Sequence, residues 1–449
     1  MYFLESAKNK NIFVILKRLT HSLSMSNIIL QSNENSALVQ TLVQSESNEI
    51  PSIYSTKRIY EPSSTNWYTI DKVSGSQADG QSVHFQLPKY GFLEQMLLSF
   101  SVTTTSSASV ADADKTLTHP AGNVFRVINR VEFLSSSRII STLYAEDIMA
   151  QFSNLHDEQL RPIGRTALVA SAETGATAGT GAVTLTTNYC LPIRFGFNSD
   201  INTQRNLSFD EPCQLRVVFG SINNYQKVDA GFVGATFATV VSAPKLDLRY
   251  KMYNESATSE LLAENYSAPQ LNQLTTRAFR ENPSAVLPVV ATTGTSKITL
   301  DLKNIDVVQD YYFMVRESKT NYEATSANVL AEIVAIKILA SGQEIASIGA
   351  QQLLYTRLTE NGYAWGGDSS IAGYDLTRIA QVPTGLWEHD GGGVLSNCFS
   401  MREMNNVQAE ITFLNLAVAT SYQAVCSETC STILSTSSST GRVINSLSN

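Results

Sequence analysis

Val83-His-Phe-Gln-Leu-Pro-Lys-Tyr-Gly-Phe-Leu-Glu-Gln-Met-Leu-Leu-Ser-Phe100 has a gap-free counterpart in Ile298-Thr-Leu-Asp-Leu-Lys-Asn-Ile-Asp-Val-Val-Gln-Asp-Tyr-Tyr-Phe-Met-Val315, 215 residues further on (83 to 298). Each reads as strand, turn, strand. Val83, Phe85 and Leu87 alternate with His84 and Gln86, as Ile298, Leu300 and Leu302 alternate with Thr299 and Asp301. A period of two marks a strand with one buried face.

Two further matches follow in the same order. Val131-Glu-Phe-Leu-Ser-Ser-Ser-Arg-Ile-Ile-Ser-Thr-Leu143 aligns with Ile336-Lys-Ile-Leu-Ala-Ser-Gly-Gln-Glu-Ile-Ala-Ser-Ile348 at an offset of 205, each a hairpin about a small-residue turn. Pro212-Cys-Gln-Leu-Arg-Val-Val-Phe219 aligns with Asn406-Val-Gln-Ala-Glu-Ile-Thr-Phe413 at an offset of 194. The falling offset is what two copies of one fold produce when loops are shorter in the second. Both hairpins lead into segments with helical spacing, Ala145 to Leu155 and Ala350 to Leu358; there Ile148, Met149 and Phe152, or Leu353, Leu354 and Leu358, read as core. Ser171 to Gly181, small and of low complexity, reads as an exposed excursion, and the linker between copies is expected near the start of Asn254 to Asn282.

Composition agrees with a mainly β chain. Charged residues make up only 16% of the 449, below the quarter usual in soluble domains, so Ser, Thr, Asn and Gln must form much of the surface. A net charge of −8 argues against a phosphate-neutralising surface, and no direct nucleic-acid binding is expected. Cys190, Cys213, Cys398, Cys426 and Cys430 are an odd, scattered set that forms no disulfide framework and fits a reducing compartment. Near Cys426 and Cys430 there is no second pair or His, so no metal is assigned. No apolar run is long enough to span a membrane. Residues 1–24 place Lys8, Lys10, Lys17 and Arg18 around the short run Ile12 to Leu16, without a cleavage site. They read as a flexible arm or as sequence upstream of a start at Met25, the other reading being a basic amphipathic helix facing a membrane.

No catalytic, cofactor or metal site emerges. Gly175, Gly179 and Gly181 lack the Lys-Ser/Thr of a phosphate cradle, and Gly366-Gly367-Asp368 and Asp390 to Gly393 read as turns. Among His21, His84, His119, His156 and His389, only the last has close acids, in Glu388-His389-Asp390. Distant paired carboxylates, as in a glycoside hydrolase, leave no motif to read. The sequons at Asn206, Asn254 and Asn265 arise easily by chance in a chain rich in Asn and Ser.

Val127-Ile-Asn-Arg-Val-Glu-Phe-Leu134 leading to Leu143-Tyr-Ala-Glu-Asp-Ile-Met-Ala-Gln-Phe152, and Leu191-Pro-Ile-Arg-Phe-Gly-Phe197 followed by Leu207 to Phe219, resemble the double jelly-roll major capsid proteins of tailless icosahedral double-stranded DNA viruses of the giant-virus, virophage and polinton-like lineage. The resemblance, of pattern and order, covers roughly residues 55 to 425; it departs where Ser136-Ser137 replaces the family's Asn-Gly turn. It implies an all-β fold of two tandem eight-stranded antiparallel jelly-roll sandwiches with short inserted helices: an N-terminal arm at 1–50, jelly rolls at 51–253 and 254–430, and a tail at 431–449. It also implies a non-enzymatic shell subunit of the virion, assembled in the host cytoplasm or nucleus. Its homotrimers would form pseudo-hexagonal capsomers that meet their neighbours, penton and minor capsid proteins, and an inner membrane through the arm. A minor capsid or spike protein, distinguished by abundance, and a tandem β-sandwich carbohydrate-binding module, expected to carry a signal peptide, are the alternatives.

Overall fold

The structure, a computed structural model, describes residues 63–78, 80–106, 116–119, 122–153, 167, 171–174, 184–195, 205–206, 212–220, 227–228, 237–253, 273–279, 284–290, 293–302, 307–317, 330–353, 370–371, 374–375, 378–383, 399–400, 406–416, 420–436 and 443–445. One compact unit, Asn66–Tyr250 with Gln273–Asn449, contains both sandwich cores.

The first sandwich is built from β1 (Ser63–Asp71), β2 (Ser82–Gln86), β3 (Phe92–Ser106), β4 (Ile128–Ser135), β5 (Arg138–Tyr144), β6 (Thr184–Ile193), β7 (Cys213–Phe219) and β8 (Phe237–Tyr253). Its sheets run β1-β8-β3-β6 and β2-β7-β4-β5. The pairs β1·β8, β2·β7, β3·β6 and β4·β5 are those of one long hairpin rolled into a sandwich, which is the jelly roll.

The second sandwich repeats the pattern. Gln273–Phe279 (β9) and Ser284–Val290 (β10) share the place of the first strand; then come β11 (Thr295–Asp301), β12 (Val307–Glu317), β13 (Ile333–Ala340), β14 (Gln343–Gly349), β15 (Ala380–Pro383), β16 (Val407–Leu414) and β17 (Thr420–Thr436). Its sheets run β9-β17-β12-β15, with β10 also on β17, and β11-β16-β13-β14.

The repeats agree to the residue. Val83, Val217, Val131 and Leu143 stand in one cross-strand row of the first sandwich. Ile298, Ile411, Ile336 and Ile348, their counterparts at the sequence offsets, stand in one row of the second. The next row gives Phe85, Leu215, Phe133 and Ser141 against Leu300, Ala409, Ile338 and Ala346. Even the bulge recurs, after Phe133 and after Ile338. Both hairpins turn with positive φ at two residues, +47° and +81° at Ser136 and Ser137, +51° and +79° at Ser341 and Gly342. That is the backbone of a type I′ turn, whose twist matches the strands. Only the second has a glycine to relieve it.

Two short helices interrupt the first copy, α1 (Val124–Val127) and α2 (Ala145–Ser153). Ile148, Met149 and Phe152 of α2 are buried as their spacing implies. In the second copy residues 350–353 are helical, with Leu353 buried; Leu354 and Leu358 lie outside the described residues.

Strand β17 runs to Thr436, and Val443–Asn445 pairs with its end; Ser431-Thr-Ile-Leu-Ser-Thr436 has no period-two apolar signature. Strand β9, well beyond the start of Asn254 to Asn282 where the linker is expected, pairs with that same end of β17. Ser171–Thr174, read as excursion, pairs with Thr116–His119. Glu132, which alternates with the core residues Val131 and Phe133, is nonetheless only 2% exposed, because Arg130 and Arg216 close over it. Burial alone would raise its carboxyl, but hydrogen bonds and charge from Arg216 and Arg130 outweigh burial and hold it below the usual carboxylate range.

The first core also holds a polar network. His119 is fully buried, with Nε2 2.8 Å from Thr104 Oγ1 and Nδ1 2.8 Å from Thr187 Oγ1; Thr104 Oγ1 lies 2.9 Å from Thr239 Oγ1. Hydroxyls can serve both ring nitrogens of a neutral imidazole but do not compensate a buried charge, and burial lowers the pKa from 6.5 to about 4.

Replacing Phe133 or Ile338 by Ala should cost about 2–5 kcal/mol in urea unfolding, whereas Ser137→Gly should add about 0.5–1 kcal/mol by relieving the left-handed turn. A folded-state pKa below the unfolded one means that the unfolded chain binds the extra proton. Stability should therefore fall as pH drops from 6.5 towards 4, by up to about 1.4 kcal/mol per pH unit from this group. Urea midpoints across that range should show the slope, and His119→Gln should flatten it.

Candidate functional site: the joint between the sandwiches

Strand β12 and the middle of β17 are buried on both faces. Tyr311, Phe313 and Val315 point into the second core, yet Tyr312, Met314 and Arg316 on the opposite face are buried too. Along β17, Tyr422, Ala424 and Cys426 face the core, while Val425, Ser427 and Thr429 on the alternate face are equally covered. A continuous apolar run such as Tyr311-Tyr-Phe-Met-Val315 is the composition of a strand covered on both sides.

Helix α2 of the first sandwich supplies cover over β17. Ser427 Oγ donates to Asp147 Oδ1 at 2.6 Å. The other oxygen, Oδ2, accepts the Tyr144 backbone N–H at 2.8 Å, so one carboxylate caps the helix and binds the sheet. Arg316 pairs with Glu146, both nearly buried, and its Nη2 also lies 3.3 Å from Gln423 Oε1. Strand β5 runs beside β9 and Val443–Asn445 at the same joint.

The equivalent face of the first sandwich is open. Ser99, Ser101, Thr103 and Thr105 of β3 alternate with core residues and are half-buried; Thr184, Thr186 and Asn188 of β6 are exposed. Side-chain bonds tie this face laterally: Ser101 Oγ donates to Asn188 Oδ1 at 2.7 Å, and Thr103 and Thr186 hydroxyls are 3.0 Å apart. Trp67 and Val240 are 51% and 57% exposed. Arg249 pairs with Glu94 at 3.0 Å and lies 6.0 Å from the Trp67 ring centroid.

No protein-family model and no curated protein sequence matches the chain. Solved structures do. VP54 of PBCV-1, as fitted into a reconstruction of the virophage Sputnik, superposes with a TM-score of 0.59 at 11% identity over 87% of this chain and 98% of its own. The Faustovirus major capsid protein gives 0.57 at 10% identity over 94% and 98%, and the mavirus major capsid protein 0.52 at 13% over 84% and 89%. The chain is a double jelly roll. At these identities the likeness is one of fold, and it spans nearly the whole length of those proteins.

On the double jelly roll the remaining candidates disperse. Cys213 and Cys426 are buried cysteines, and Cys190 is a half-buried one on β6. The side chains of Cys398 and Cys430, the Glu388-His389-Asp390 cluster, the glycine-rich spacings, and Asn254 and Asn265 lie outside the described residues; Asn206 pairs with Phe92 in a two-residue strand. Among the described residues no group of His, Cys, Asp and Glu is placed to hold a metal, and no helix is long and apolar enough to cross a membrane. The joint was not legible in advance. Its one sequence signal was the unbroken apolar run of β12, at odds with the alternation of β3.

Removing one partner of a buried pair strands the other charge. Arg316→Ala or Glu146→Ala should therefore cost about 3–5 kcal/mol, while an apolar pair of similar volume, Arg316→Met with Glu146→Leu, should stay near the parent. Urea unfolding followed by tryptophan fluorescence measures both.

Proposed function

We propose that this protein is the major capsid subunit of an icosahedral double-stranded DNA virus: a structural, non-catalytic component of the virion that trimerises and tiles the shell as pseudo-hexagonal capsomers. The observation that carries the reading is the duplication in register. Two equivalent sandwiches in one chain, three chains to a ring, present six similar wedges, and six-sided blocks tile a curved surface. The structural likeness to several viral major capsid proteins over most of the chain supports it. A surface of hydroxyls and amides with few charges suits flanks that are buried against neighbours.

In this reading residues 51–253 and 254–430, with the second extended to Thr436 by β17, are the shell-forming jelly rolls. The arm at 1–50 and the end of the chain tie capsomers together, meet penton and minor capsid proteins, and through the basic arm reach an inner membrane. Assembly takes place in the host cytoplasm or nucleus.

Light scattering on the purified protein should give a homotrimer across the micromolar range, with each contact burying on the order of 2,000 Å². Deleting residues 1–50 should leave the trimer intact and impair shell assembly. A monomer at every concentration, even under assembly conditions, favours a tandem carbohydrate-binding module instead.

A further inference from the structure

The duplication defines two joints, and among the described residues only one is filled. In the filled joint, α2 of the first sandwich lies on the outer face of the second sandwich's larger sheet. The offsets that align the strands carry each participant to a counterpart: Glu146 to Gln351 and Asp147 to Gln352 at 205, Arg316 to Ser101 at 215. The helix correspondence is structural as well as numerical. As the Tyr144 N–H donates to Asp147, so the Gly349 N–H donates to Gln352 Oε1 at 2.9 Å. Ser101 likewise sits on β3 where Arg316 sits on β12, each next to a core residue, Phe100 or Val315.

Neither counterpart meets the other within the chain. Gln351 and Gln352 are exposed, Ser101 is half-exposed, and its neighbours on that sheet include the uncovered Trp67 and Val240. One molecule thus offers the helix of a joint on its second sandwich and the sheet of the same joint on its first. Such a contact between unlike surfaces passes from copy to copy and closes into a ring when the rotation allows.

We infer that the helical turn at 350–353 docks on the β3–β8 face of the first sandwich of a second copy of this chain, in the pose that α2 takes on β12 and β17 of the second sandwich, with Gln351 opposite Ser101. The contact follows from the duplication; only the number of copies in the ring rests on the capsid reading.

The chemistry of the two joints differs in a way that sorts them. The internal joint is built on Arg316 and Glu146, and at the same two positions the external one has serine and glutamine. Exchanging helices is therefore disfavoured in both directions. Glu146 brought to a Ser101 face would be desolvated without its cation, and Gln351 brought to the second sandwich would leave Arg316 without its carboxylate. The ion pair selects the helix from the same chain, and its absence selects the helix from the neighbour.

Converting the external joint into a copy of the internal one tests this. Gln351→Glu, Ser101→Arg and the double variant are compared by sedimentation equilibrium of the full chain in a fixed low concentration of urea; both positions are accessible, and circular dichroism checks the fold. Each single variant should raise the trimer dissociation constant about tenfold or more, and the double variant should return it to within about threefold of the parent, because the new charges pair. A stable parent trimer that neither single change weakens, or single losses that simply add in the double variant, overturns the assigned surface and leaves the capsid reading standing. A parent that never associates overturns both.

Discussion

A β-sheet has two faces, and a sandwich buries one of each. In the second sandwich the outer face of β12 and β17 carries Tyr312, Met314 and Val425, too much apolar surface to leave in water, and all three are buried. The architecture of the joint depends on meeting that need. Part of the cover comes from α2, which the first sandwich inserts after β5, caps with Asp147 and lays over β17. The second sandwich therefore lacks a complete surface of its own, and the two jelly rolls behave as one compact unit rather than as beads on a linker.

The same constraint explains why the copies diverged where they did. Rows facing the cores kept their character, Val83-Val217-Val131-Leu143 against Ile298-Ile411-Ile336-Ile348, because each must fill the same interlayer space. Positions on the outer faces were free to change sign. Arg216 and Glu132, cross-strand partners in the first copy, are replaced by Glu410 and Lys337 in the second, so opposite charges still face each other with the polarity reversed. On the larger sheets the change went from hydroxyl to apolar or cationic, Ser99 to Met314 and Ser101 to Arg316, as one face became an internal joint and the other stayed open.

Much of the fold was legible from period-two alternation, since that pattern is a direct projection of one buried face; it placed Val83, Val131 and Ile336 on the correct side of their strands. What escaped had a shared physical cause. Strand β9, Gln-Leu-Thr-Thr-Arg-Ala-Phe, and the end of β17, Ser-Thr-Ile-Leu-Ser-Thr, pair along a backbone ladder without alternating apolar and polar residues, and composition alone does not separate such strands from loops. The burial of Glu132 escaped because it comes from two arginine side chains lying over it rather than from the pleat. The apolar run of β12 signalled a second covered face, but its cover did not show, because that is a matter of which element lies opposite, and Glu146 and Arg316 are 170 residues apart.

The central claim is that two in-register sandwiches per chain exist to form a closed, six-sided building block. Electron microscopy of the purified full chain measures this most directly. Class averages should show threefold particles with a six-lobed base, two lobes per subunit. Monomers, or open chains of subunits that never close, would contradict it.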